Sequence, residues 1–149
     1  MRAVVQRCLK ASVTVEGKEI SSIGAGMAVL LGVEKDDSEE DVRYIVEKLA
    51  TLRIFEDENG KMNLDLLQVQ GELLLVSQFT LCGDARKGRR PDYMQAASSV
   101  QARQFYETAV QRLRQKGISV QCGEFGVDMK LMLVNDGPVT ILLDSKKAF

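Results

Sequence analysis

Apolar positions along the chain change their spacing several times, and each change marks an element. Ala3 to Leu9 is strand-like, and Ser12 to Ile20 alternates apolar with polar residues around Glu16-Gly17-Lys18, the pattern of a hairpin. Met27 to Val33 is a short continuous apolar run. Gly24 and Gly26 precede it and Glu34 to Asp37 follow it, which suits a buried strand. The spacing then turns helical. Ser38 is placed as an N-cap, with Glu39, Glu40 and Asp41 in the first turn. Val42, Ile45, Val46, Leu49 and Leu52 form one apolar stripe, and the helix is expected to end near Arg53. Asp57-Glu58-Asn59-Gly60 reads as a turn. Leu73 to Leu81 is the strongest central strand, and a polar loop runs from Cys82 to about Gln95. Ser99 to Lys116 is a second helix, with Ala102, Phe105, Tyr106, Ala109, Val110 and Leu113 on its apolar side and Gly117 as its stop. Ile118 to Cys122, Met129 to Val134 and Val139 to Leu143 are the final strands, and Asn135-Asp136-Gly137-Pro138 connects the last two.

Strands precede, separate and follow the two helices without a regular strand–helix alternation. The pattern predicts an α+β fold: a mostly antiparallel, curled, barrel-like sheet with both helices packed on it. No repeat, linker or low-complexity segment divides the chain, so residues 1–149 are expected to form one domain. A domain of this size buries roughly 70% of its unfolded surface and needs no staples.

Composition narrows the chemistry. The longest apolar runs are far too short to cross a bilayer, and the first residues lack a signal peptide's apolar core, so a cytoplasmic protein without membrane contact is expected. Cys8, Cys82 and Cys122 are odd in number and scattered, which points to free thiols and away from a zinc site. The chain has no histidine. Ser-His and Cys-His catalysis is therefore excluded, and neither a metal nor another cofactor is expected. The net charge of −1 rules out whole-surface attraction to nucleic acid, so any RNA contact needs a local basic patch.

Three segments could carry chemistry. Ser77-Gln78-Phe79-Thr80-Leu81 ends a strand with polar groups beside an aromatic one, though a half-buried strand with a solvated face gives the same pattern. Asn135 to Thr140 holds ordinary turn formers. An Xaa-Pro bond there has a cis frequency of about 5–6% in folded proteins, and a cis bond would aim two adjacent carbonyls in nearly the same direction. Gly83 to Pro91 concentrates Arg86, Lys87, Arg89 and Arg90 on a glycine-flanked loop, either a solvated loop or a phosphate-binding patch. Cys82 lies between strand and basic loop, where a lowered thiol pKa is conceivable, but no base accompanies it.

These segments occur together and in order: Met1-Arg2-Ala3-Val4-Val5-Gln6-Arg7, Ser77-Gln78-Phe79-Thr80-Leu81, Gly83-Asp84-Ala85-Arg86-Lys87-Gly88 and Asn135-Asp136-Gly137-Pro138-Val139-Thr140. The combination resembles the D-aminoacyl-tRNA deacylases over essentially the full chain. The resemblance implies a homodimer that removes D-amino acids from tRNA. Each of its active sites would join Ser77, Gln78, Phe79 and Thr80 of one subunit to Gly137 and Pro138 of the other. It further implies a cis bond before Pro138 whose carbonyls capture the substrate α-amino group, with Arg7 fixing that turn. Met129 would flank the terminal adenosine. Backbone N–H groups near Phe79 and Thr80 would stabilise the oxyanion, helped by the substrate's own 2′-hydroxyl, with Gln78 among the catalytic residues. An L-residue would collide with the Gly137-Pro138 backbone, whereas glycine, including glycyl-tRNA(Ala), would pass.

Overall fold

Two long strands organise the sheet. In the computed structural model, which describes residues 1–149, β1 (Arg2–Val15) keeps one neighbour along its whole length, β8 (Lys130–Asp144). Its other edge changes partner midway. Arg2 to Cys8 pair with β3 (Gly26–Gly32), and Ala11 to Val15 pair with β2 (Lys18–Ile23). The sequence pattern predicts two strands in place of β1. Pairing with β8 carries the backbone through Leu9 and Lys10, both exposed at a register shift. The expected turn between β1 and β2 is present: Val15 pairs with Lys18 across Glu16 and Gly17, both at positive φ, the form of a two-residue hairpin loop.

From β3 the chain crosses through α1 (Glu39–Thr51) and the small hairpin β4 (Phe55–Glu56) and β5 (Met62–Leu64) to β6 (Glu72–Ser77). It then crosses through α2 (Ser99–Gln115) to β7 (Ser119–Cys122). These crossovers make β3–β6 and β6–β7 parallel within a sheet whose other pairings are antiparallel. Ser38 caps α1 with a reciprocal bond to Asp41, and Gly117, at φ +88°, follows the last turn of α2.

Both helices lie on one face of the sheet. Val42, Ile45 and Leu49 of α1 and Phe105, Ala109 and Leu113 of α2 meet Val5, Val29, Leu73 and Leu75 in the main core. A smaller core forms on the opposite face, where the curled sheet folds over itself: Cys8, Val13, Ile23, Ala28, Leu74 and Val76, flanked by Leu131 and Leu133. One run of β6 thus feeds both cores by alternation, Leu73 and Leu75 one way, Leu74 and Val76 the other.

Two predicted boundaries differ from the structure. The strand expected over Leu73 to Leu81 stops at Ser77, and Phe79–Cys82 form a single 3-10 turn. Gly32 at the end of β3 allows this. A Cβ there would lie 2.9 Å from the Gln78 carbonyl and 2.9 Å from Leu81 Cβ, so the turn is seated directly on glycine. The expected connection Asn135 to Pro138 lies instead inside the continuous strand β8. Gln6 pairs with Thr140 and Cys8 with Asn135, so Asp136, Gly137, Pro138 and Val139 all stand opposite Arg7 alone. This is a wide bulge, a place where proline's missing N–H does no harm.

Gly26 sits at the corner between β2 and β3, and a Cβ there would lie 1.9 Å from the Glu72 carbonyl oxygen and 2.7 Å from its nitrogen. Gly26→Ala is expected to destabilise by about 3 kcal/mol or more, because backbone of the paired strand must move. Gly24→Ala, whose nearest contact would be the flexible Glu72 carboxylate at 3.5 Å, should cost little. Urea melts of the two variants check the contrast, and equal stability would refute it.

Candidate active site

The end of β6 opens into a cleft of about 610 Å³ between the sheet and the start of α2. Ser77, Gln78 and Phe79 line one wall, and Met129, at the entry to β8, lines another. The rest is mainly apolar, including Leu31, Val76, Tyr106 and Phe125. Phe125 is held between the Tyr106 ring, 5.9 Å away, and the Arg103 guanidinium, 4.9 Å from its centroid.

The 3-10 turn leaves main-chain donors at the cleft. The Gln78 N–H still donates to the Leu31 carbonyl (2.8 Å), and the Leu81 N–H donates to the Gln78 carbonyl (3.3 Å). Phe79 and Thr80 stand between these two, and neither N–H has an acceptor in the chain. They are the unpaired donors that begin any helical turn. Gln78 Nε2 donates to the Thr80 hydroxyl at 2.5 Å, so that hydroxyl's own proton is left to point elsewhere.

The bulge of β8 forms a separate cluster. Arg7 is buried, and its Nε donates to the Asp136 carbonyl at 3.2 Å and lies 3.2 Å from the Asp136 carboxylate. Its Nη1 donates to the Ile54 carbonyl at 2.7 Å. Gln6 donates to Asn135 beside it. Gly137 has φ +119°, and the bond to Pro138 is cis. Both residues are exposed, and neither lines the cleft of the same chain. The structure therefore separates the predicted residues: Ser77, Gln78 and Phe79 meet Met129 at the cleft, with Thr80 next to them in the turn, and Arg7 meets Gly137 and Pro138 at the bulge.

The basic loop is the third place. An antiparallel bridge between Asp84 and Asp92 closes it at its base. Arg86 is spent on Asp84 at 2.6 Å, and its hydrogen bonds hold that carboxyl well below the usual carboxylate range. Lys87, Arg89 and Arg90 have no carboxylate partner and remain exposed. Cys82 is buried, with its thiol donating to the Val33 carbonyl (3.4 Å). Burial first, and then the Glu34 charge, push its pKa up to about 11. The basic loop does not activate this thiol.

The sequence pattern alone marked neither Phe125 nor Tyr93 as part of this surface. Both are single aromatics in connections, at Glu124-Phe125-Gly126 and Asp92-Tyr93-Met94. Aromatic residues bounded by polar or glycine neighbours were the available signal.

A family profile described as D-Tyr-tRNA(Tyr) deacylase matches residues 4–144. The chain is 62% identical over 145 residues to the D-aminoacyl-tRNA deacylase of Myxococcus xanthus, covering 97% of this chain and 95% of that one. It is 58% identical to the D-aminoacyl-tRNA deacylase of Thermosipho africanus, with both chains fully covered. A solved structure titled c-Myc DNA Unwinding Element Binding Protein superposes with a TM-score of 0.91 at 43% identity, covering 97% of this chain and 98% of that one.

The three thiols should differ in reactivity. Burial raises the pKa of Cys8 as it does that of Cys82, whereas Cys122 is only half-buried. Brief iodoacetamide treatment of native protein at pH 8, read by mass spectrometry, is expected to label Cys122 ahead of both others. Cys82 labelling first would restore it as a nucleophile.

Proposed function

The chain belongs to the D-Tyr-tRNA(Tyr) deacylase family, and from that membership we propose that it hydrolyses the ester joining a D-amino acid to the 3′ end of a tRNA. The observation that carries the reading is the pair of N–H groups at Phe79 and Thr80 without an acceptor in the chain, in the turn that follows the wall of an apolar cleft, in a chain with no histidine. Two fixed donors suit an ester carbonyl that becomes an oxyanion, and one such donor contributes roughly 3–4 kcal/mol to the transition state. The ester is already activated, so positioning supplies much of the remainder. The vicinal 2′-hydroxyl of the substrate helps to activate water. Gln78 orients the Thr80 hydroxyl toward the reacting group, Ser77 lines the approach, and Met129 flanks the terminal adenosine.

Chiral selection comes from a second copy. In this reading the Gly137 and Pro138 carbonyls of one chain hold the substrate α-amino group in the cleft of the other, with Arg7 anchoring the bulge from beneath. With amino group and ester both held, an L side chain is driven into main chain, while a D side chain points away. Glycine lacks the Cβ that the filter detects, so glycyl-tRNA(Ala) is a substrate too. The exposed β8 supports dimerisation. It pairs only with β1, so its other edge is open, and Met132 (53% exposed), Val134 (39%) and Leu142 (56%) are exposed along it. Long apolar edges of this kind are normally covered. The tRNA meets the Arg86 to Arg90 loop through Lys87, Arg89 and Arg90, with Arg86 bracing the loop on Asp84, and the site of action is the cytoplasm, where charged tRNA is found.

Purified protein is expected to release D-tyrosine from D-tyrosyl-tRNA and glycine from glycyl-tRNA(Ala), while L-tyrosyl-tRNA decays at its uncatalysed rate. Salt-sensitive tRNA binding without ester cleavage would instead identify an RNA-end-binding module. Light scattering should give the mass of two chains, and Met132→Glu with Leu142→Glu should give one chain and abolish deacylation. A fully active monomer would remove the shared site.

A further inference from the structure

Tyr93 lies outside the residues that line the cleft, yet its ring meets Phe79 edge to face, 5.3 Å between centroids at 62°. Both rings remain open to solvent, Phe79 at 58% and Tyr93 at 39%. Singly exposed aromatics are common. These two are in contact, and one of them is a wall of the cleft. The pair is also built into the backbone. A Cβ on Gly83 would lie 2.9 Å from the Tyr93 ring and 3.0 Å from the Thr80 carbonyl. Gly83 has φ −68°, open to any residue, so space for Tyr93 is what this position provides. The Asp84–Asp92 bridge, with N–H to carbonyl distances of 2.7 and 2.9 Å, fixes the backbone directly before Tyr93.

Three surfaces therefore follow one another: apolar cleft, aromatic step, and a loop with Lys87, Arg89 and Arg90 free of carboxylate partners. A single-stranded nucleic-acid end presents its parts in the same order when its last base enters the cleft. The next base meets a π-face, and the phosphates behind it meet cations. We propose that Phe79 and Tyr93 form the stacking site for the penultimate nucleotide of the tRNA 3′ end, with Lys87, Arg89 and Arg90 on the phosphates that precede it. This rests on the deacylase reading. Every base has a π-face, so the step holds the strand without reading its sequence. Tyr93 is a binding residue, distant from the reacting ester.

The test is steady-state kinetics with two substrates, D-tyrosyl-tRNA and D-tyrosyl-adenosine, the second lacking the penultimate nucleotide. Tyr93→Leu is expected to raise KM for D-tyrosyl-tRNA roughly tenfold, the size of one lost base–aromatic stack, with kcat retained. The loss should be confined to the longer substrate, and Tyr93→Phe should restore it. Equal losses on both substrates, or a fall in kcat on both, would make Tyr93 a support of the cleft and overturn the proposal. A normal KM for D-tyrosyl-tRNA in Tyr93→Leu would overturn it as well. Wild-type protein inert on both substrates would overturn the deacylase reading itself, a separate failure.

Discussion

The unequal pairing of β1 with β8 is the constraint on which the rest depends. One residue of β1, Arg7, faces four of β8. Four residues cannot lie flat in the space of one, so the strand must bulge outward and expose Gly137 and Pro138. A buried guanidinium beneath the bulge is costly unless its donors are matched. Arg7 meets that demand with the Asp136 carbonyl and carboxylate on one side and the Ile54 carbonyl on the other. The residue opposite the bulge thus ties it to the segment leaving α1. The bulge is held from inside the core and leaves Gly137 and Pro138 exposed.

The cleft is made by a comparable economy at the end of β6. The strand feeds two cores up to Val76, then gives way to a 3-10 turn seated on Gly32. A continuing strand would have consumed the Phe79 and Thr80 N–H groups in a ladder. The turn leaves them without acceptors in the chain, on two exposed residues that follow the cleft wall formed by Ser77 and Gln78. Absence of histidine and a Cys82 thiol held protonated by burial belong to the same picture. In the proposed mechanism the groups that act on the ester carbonyl belong to the main chain.

Legibility in the sequence followed the range of the interactions. Both helices could be read because their determinants are local: Ser38 with its acidic turn, the stripe from Val42 to Leu49, and Gly117 after α2. The continuity of β1 and β8 was hidden because it is decided by pairing between segments more than a hundred residues apart. Asn-Asp-Gly-Pro has the composition of a turn, and nothing local shows that a neighbouring strand carries the chain through it. The strand expected over Leu73 to Leu81 stops at Ser77 for a similar reason, since the room that Gly32 leaves for the turn lies on a strand more than forty residues earlier. Of the site residues, Ser77 to Thr80 stood out by their polar-aromatic mixture. Phe125 and Tyr93 acquire their positions only from contacts with Tyr106, Arg103 and Phe79.

A site that worked through main chain, as proposed, would shift the burden of specification onto residues that leave room. Gly137 adopts φ +119°, and a Cβ there would lie 2.9 Å from the Val139 side chain and 3.1 Å from the Arg7 guanidinium. Any larger residue would disturb both the direction of the carbonyl and the anchor beneath it. Gly83 has ordinary backbone angles and is required by the neighbouring ring. One glycine sets where a carbonyl points, and the other sets where an aromatic surface stands. Side chains such as Arg7 fix geometry, and on the proposed reading that is how a sequence almost neutral in net charge and without histidine would build a selective site.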